Sequence, residues 1–120
     1  MASLRLTGPA ASDIAELLQW SEEIFGTPAR RRYEALIATA LKDIAQDWQR
    51  AGSVRRDDLK TGCLTYHLRH SRSRTKVGGG VVQSPRHILV YRLAPGDIVV
   101  ILRVLHDSMD LPRYLDAPPQ

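Results

Sequence analysis

The sequence has one cysteine, Cys63, and no long apolar run. A single cysteine excludes an internal disulfide and any multi-cysteine zinc site. The longest apolar stretch, Ile98 to Leu102, is far short of the roughly 20 residues that a membrane-spanning helix needs. No apolar segment follows a basic start in Met-Ala-Ser-Leu-Arg-Leu-Thr, so no secretion signal is expected. Both features favour the cytoplasm as the expected compartment, with no membrane partner. A hydrophobic content of 43% with 25% charged residues excludes a disordered chain, a collagen-like chain and a coiled coil.

The 120 residues suffice for one domain with one real core. We expect that domain over residues 1–116, with a frayed tail at 117–120 carrying Pro118-Pro119. The net charge is +4, but it is unevenly placed. Residues 1–53 carry six Lys/Arg against seven Asp/Glu, residues 54–92 nine against two, and residues 93–120 two against four. The middle third is thus a basic block between near-neutral ends. Such a block attracts nucleic acid or acidic protein, or simply solvates the surface.

Leu4-Arg5-Leu6-Thr7 alternates apolar and polar, predicting a short half-buried strand that Gly8-Pro9 ends. Ile14, Leu17, Leu18, Ile24 and Phe25 share one helical face, with Trp20 at its edge. Gly26 closes that helix, and Thr27-Pro28 reads as an N-cap followed by proline at the first helical position. Tyr33, Leu36, Ile37, Ala40, Leu41, Ile44, Ala45 and Trp48 then form the strongest periodic signal in the chain, ended by Gly52. So short a connection predicts an αα-hairpin.

After Gly62 the period changes to two: Leu64, Tyr66 and Leu68 alternate with Thr65, His67 and Arg69. Further strands are predicted at His87–Arg92 and Ile98–Leu105, joined by a turn at Ala94-Pro95-Gly96-Asp97. The β-branched run of the last strand predicts burial on both faces and a central place in the sheet. The predicted class is α+β, in the order β-α-α-β-β-β. The helical hairpin covers one face of a mostly antiparallel four-stranded sheet.

Chemistry-bearing residues are sparse. The four histidines, at 67, 70, 87 and 106, come with no HExxH and no supporting carboxylate spacing, so neither a metal nor a cofactor is expected. Glu22 and Glu23 are neighbours on a helix and do not face each other. Gly78-Gly79-Gly80 lacks the Lys-Ser/Thr of a phosphate loop and reads as a hairpin tip. Cys63 reads as a small buried residue. The sharpest feature is Arg69-His70-Ser71-Arg72-Ser73-Arg74-Thr75-Lys76, which reads either as a cationic finger or as a solubilising loop. Arg103 interrupts an apolar strand and must face a carboxylate or a partner. Together with His106 it could supply a cation and a general acid/base.

Several segments resemble the RelE/ParE superfamily of toxins, and the ParE-like branch in particular. These are Arg5-Leu6-Thr7, Asp13-Ile14 with Trp20, Phe25-Gly26, Ala29 and Tyr33, Leu36, Leu41 and Ile44-Ala45. More specific are Pro85-Arg86-His87-Ile88-Leu89-Val90-Tyr91-Arg92 and the run Ile98 to His106, followed by Asp110-Leu111-Pro112. The resemblance implies the RelE/ParE-like fold and the toxin half of a type II toxin–antitoxin module. On the ParE-like side it implies a non-enzymatic inhibitor of DNA gyrase that traps the cleaved-DNA state, with growth inhibition and plasmid stabilisation as the outcome. DNA would be met through the gyrase complex. The RelE-like alternative is ribosome-dependent mRNA cleavage, for which Arg86, Arg103, His106 and Tyr114 are the residues available.

The implied partner is a ParD-like ribbon-helix-helix antitoxin, bound as a hetero-oligomer. Its disordered tail would fold onto the hairpin helices and an exposed sheet edge, and its contacts are expected at Trp20, Phe25, Tyr33, Leu36, Trp48 and Tyr91. Target contacts are expected at Arg69, His70, Arg72, Arg74, Lys76, Arg86, Arg103 and His106. The segment Ser71–Ser84 is longer and more basic than the connection found in many ParE-like proteins.

Overall fold

The computed structural model describes residues 2–75 and 82–115. Lys76, the Gly78-Gly79-Gly80 tip and the 117–120 tail fall outside them. Strand β1 (Ser3–Leu6) leads into helices α1 (Gly8–Phe25) and α2 (Thr27–Gln46). Strands β2 (Ser53–Arg55), β3 (Cys63–His67), β4 (His87–Ala94) and β5 (Ile98–His106) follow, and then a short helix α3 (Leu111–Leu115). The sheet order is β1-β5-β4-β3-β2, with β1 parallel to β5 and every other pair antiparallel.

The α+β class and the helical hairpin are as expected, but the sheet has five strands rather than four. The added strand, β2, is three residues long and has no periodic signal. Its pairing with β3 sets Val54 opposite Thr65. β4 holds the sheet centre, and β5 lies between β4 and the edge strand β1. Because β1 is an edge, all four of its residues are exposed, which corrects the half-buried expectation. Thr7 leaves the strand to cap α1: its Oγ1 accepts the Ala10 N–H at 3.1 Å and donates to the Leu102 carbonyl at 2.9 Å.

The hairpin joint is one residue, Gly26, at φ +92°, a backbone that side-chain-bearing residues rarely adopt. Gly26, not Thr27, is the N-cap of α2. The Thr27 hydroxyl instead donates to Glu22 Oε2 at 2.9 Å. Helix α2 stops at Gln46, so Trp48 lies past its end, half-buried, with its carbonyl accepting the Tyr91 hydroxyl at 2.7 Å.

One core lies between the helices and the sheet, built around Leu36, Ile44, Tyr66, Leu89, Tyr91 and Ile101, each fully buried. Full burial of such side chains contributes about 1.5–3 kcal/mol each. The opposite face of the sheet carries a smaller cluster of Leu59, Cys63, Val90 and Leu105, closed by Leu111 and Leu115 of α3. β3 is therefore buried on both faces, although its period-two alternation predicts one buried face. Among the described residues no helix is long and apolar enough to cross a membrane.

A bulge lies where Val90 pairs with Arg103 and Tyr91 with Ile101. The extra residue, Leu102, shifts the alternation by one. Val99 and Ile101 face the helices before it, and Val104 does so after it, which turns Arg103 out of the core.

The turn after α2 has a tight contact of its own. Gly52 sits at φ +102°, and a Cβ there would lie 2.7 Å from His70 Cγ. Gly52→Ala should cost about 2–3 kcal/mol, combining backbone strain with the clash. Adding His70→Ala should recover the steric part only. Urea unfolding of the two single variants and the double variant measures this, and full recovery would show that the φ contributes nothing.

Candidate functional site

A groove runs between the end of α1, the start of α2 and the adjoining ends of β4 and β5. Its first lobe, about 510 Å³, is lined by Trp20, Phe25, Arg32, Tyr33, Arg86, His87 and His106, among others. A second lobe of about 500 Å³ continues past Leu17, Trp20, His87 and His106 to Asp13, Arg103, Met109 and Tyr114.

The upper wall is the last turn of α1. The apolar stripe predicted along this helix is buried at Leu17 and Leu18, but the final turn runs past the sheet. Trp20, Ile24 and Phe25 are 53%, 58% and 64% exposed. Trp20 and Phe25 meet edge to face at 5.6 Å.

The floor is a relay of neutral polar groups. The Arg86 backbone N–H donates to Tyr33 Oη at 3.1 Å, and the Tyr33 hydroxyl shares a hydrogen bond of 2.6 Å with His87 Nδ1. The His87 ring stands edge to face with His106 at 5.3 Å. Burial first, then the neighbouring His106, pulls the His87 pKa down to about 4. Burial pushes the Tyr33 phenol up to about 12. Thus His87 is a half-buried neutral ring at physiological pH.

Asp107 stands behind Arg86, outside the lining of either lobe. It accepts from Arg86 Nε at 3.0 Å and from His67 Nε2 at 3.0 Å. The hydrogen bond from Arg86 holds its carboxyl down at about 2. In the second lobe Arg103 forks onto Asp13, with Nε to Oδ2 at 2.7 Å and Nη2 to Oδ1 at 2.9 Å. The Val104 N–H adds a third donor to Asp13 at 2.9 Å. Arg103 Nη1 also donates to the Tyr114 carbonyl at 3.1 Å. Asp13 is thus the carboxylate that the apolar setting of Arg103 demanded.

The basic run does not stand out as a free finger over its described part. Leu68–His70 and Arg72–Arg74 form two 3-10 turns folded against α2. Ser71 is fully buried, donating to Asp43 Oδ2 at 2.5 Å and accepting from the Tyr66 hydroxyl at 2.7 Å. Arg74 pairs with the same carboxylate, and Arg50 reaches it at 3.2 Å. Arg72 donates to the Gln83 carbonyl. His70 packs on the Tyr66 ring at 5.5 Å, and Arg69 is exposed.

Of the residues expected to meet the antitoxin, Trp20, Phe25 and Tyr33 line the groove. Leu36 and Tyr91 are fully buried and belong to the core, a correction forced by helix–sheet packing. Arg86, Arg103 and His106 also line the groove, whereas Arg69, His70, Arg72 and Arg74 lie apart from it. Sequence reasoning missed Arg32, Asp43 and Asp107 as organising residues. Asp43 carried a readable signal: it is a carboxylate seven residues from Leu36 and three from Ala40, on the buried stripe of α2. Among the described residues no group of three His, Cys, Asp or Glu side chains could hold a metal ion.

The architecture is thus a helical hairpin on a five-stranded, mostly antiparallel sheet, with an exposed groove at one end. Residues 4–111 match the family model described as the ParE toxin of the type II toxin–antitoxin system, parDE. The chain belongs to the ParE toxin family. A solved structure described as a chromosomal ParDE TA system from P. aeruginosa is similar at TM-score 0.63 and 20% identity, covering 88% of this chain and 96% of that one. At that identity it supports the fold alone. No curated protein matches. Family membership implies a cognate antitoxin as partner.

The His87 setting has a pH consequence. Its folded pKa, about 4, lies below the ordinary value of 6.5, so the unfolded chain takes up a proton first as pH falls. Its contribution is complete above pH 6.5, falls between 6.5 and 4, and levels off below 4. The loss over that window should be about 3 kcal/mol. Denaturant unfolding at stepped pH should show a fall that His87→Gln largely removes within the window. Equal slopes in both proteins would place the titrating group elsewhere.

Proposed function

We propose that this ParE-family chain inhibits DNA gyrase by trapping its DNA-cleaved state, as a binder and not as an enzyme. Residues 1–116 act as one domain, and a ParD-like ribbon-helix-helix antitoxin neutralises it in a hetero-oligomer. The observation that carries the non-enzymatic reading is the fork of Arg103 on Asp13. In-line attack on RNA needs cations free to meet the developing charge on the phosphate. Here Arg103 is held by Asp13, and Arg86 by Asp107. What stays exposed is binding surface: the apolar end of α1, where the antitoxin tail would anchor on Trp20, Phe25 and Tyr33, and the cation Arg69.

Ribosome-dependent mRNA cleavage is the second reading. The paired rings of His87 and His106 beside Tyr33 are what favour it.

A DNA-cleavage assay with purified gyrase separates the two. The chain freed of antitoxin should accumulate cleaved plasmid, and adding the antitoxin should reverse this. Intact plasmid, together with arrested translation in a cell-free extract, would select the ribosome instead.

A charge test locates target contact. Arg69→Ala with Arg72→Ala should lower gyrase inhibition about tenfold, or about 1.4 kcal/mol, while antitoxin affinity stays within twofold. Equal loss of both would make the 3-10 turns a shared or structural element.

A further inference from the structure

We propose that the first lobe of the groove binds a nucleotide unit, an aromatic base carrying a phosphate. Three observations carry this beyond the toxin reading.

The first is charge. No Asp or Glu lines the lobe, whereas Arg32 and Arg86 do, beside the neutral ring of His87 and the ring of His106. Among the described residues Arg32 has no carboxylate within salt-bridge distance. Arg86 is paired with Asp107, so Arg32 is the lining cation left to meet an anion. A site with cations and no carboxylate selects an anion.

The second is shape. Five ring-bearing side chains line the lobe, against three aliphatic ones, Leu17, Ala29 and Val82. A seat for an amphipathic helix uses aliphatic knobs, whereas rings beside arginine suit a flat base stacked above a phosphate. The edge-to-face pairing of Trp20 with Phe25 uses one ring face and leaves the exposed indole able to stack. Ser21, Gln83 and Ser84 supply polar groups along the wall for the edge of a base.

The third is size. A volume of about 510 Å³ falls within the range of small-ligand sites and accommodates one nucleotide rather than a duplex. The phosphate would meet Arg32 at the rim, and the base would lie on Trp20. A free nucleotide and the unpaired end of a strand present the same chemistry. Because Trp20 also belongs to the proposed antitoxin anchor, a nucleotide and that tail would exclude each other.

The test is a fluorescence titration of the full chain, freed of antitoxin and carrying Trp48→Phe, so that Trp20 is the one tryptophan. Adenosine monophosphate should quench it saturably, at least about tenfold more tightly than ribose 5-phosphate or inorganic phosphate. Arg32→Ala should weaken binding about tenfold. Arg31→Ala, an exposed neighbour outside the lobe, should leave it unchanged. Equilibrium dialysis of labelled adenosine monophosphate against the unaltered chain gives the same answer should Trp48→Phe fold poorly. A single-stranded tetranucleotide binding more than about tenfold tighter assigns a strand end, and similar affinity assigns the free nucleotide; either supports the site. No saturation up to about 10 mM, equal binding of phosphate alone, equal loss in Arg31→Ala and Arg32→Ala, or saturation only by an acidic peptide would overturn it.

Discussion

The carboxylate of Asp13 joins two elements ninety residues apart in the chain. It takes two donors from Arg103 and one from the Val104 backbone. A bidentate pair of this kind fixes orientation as well as distance. It sets α1 against β5 beside the bulge, where the strand has just changed its phase. From Asp13 the same helical face continues to Leu17 and Trp20, the residues shared by both lobes of the groove. The position of the exposed aromatic end therefore follows from one ion pair two turns away. Loss of either partner would leave the other charge half-buried and unpaired, which costs more than the intact pair contributes.

Asp43 does for α2 what Asp13 does for α1. It gathers Arg50, Arg74 and the Ser71 hydroxyl, and so ties the basic segment to the helix layer. Asp107 holds Arg86, and Asp57 and Asp58 hold Arg55 and Arg56. Of the positive charge counted in the middle third, Arg74 and Arg86 are thus neutralised by acids from outside it, and Arg55 and Arg56 by its own two acids. A charge total by segment overstates the outward field, because it ignores acids that fold back from other segments. Only cations without such a partner attract an acidic target at long range.

The parts legible in the sequence were those with a long period. α2 announced itself through a stripe from Tyr33 to Ala45, and β4 and β5 through their β-branched runs. β2 was illegible because three residues cannot display a period. The exposure of Ile24 and Phe25 was illegible for another reason: helical spacing tells which face is apolar, not how far the sheet beneath extends. The bulge at Leu102 was hidden as well. A one-residue insertion flips every later side chain, so the sequence showed that Arg103 needed a carboxylate or a partner but not that the bulge turns it toward Asp13. His87 does lie in a strand, β4, but its contact with Tyr33 was hidden because the two are 54 positions apart.

The exposed aromatic turn makes physical sense for a toxin held by an antitoxin. Trp20, Ile24 and Phe25 contribute little to folding, since they stay in water in either state. Large exposed apolar surface on a small chain marks a site for a partner. An antitoxin that covered this turn would stabilise the folded toxin by mass action, without touching the Asp13 and Asp43 clamps that hold the fold together. Release would then return the chain to a state already organised, with the groove formed and its cations already oriented. On this reading toxicity is gated by occupancy of one surface and not by refolding, and the two clamping acids, Asp13 and Asp43, are what make that separation possible.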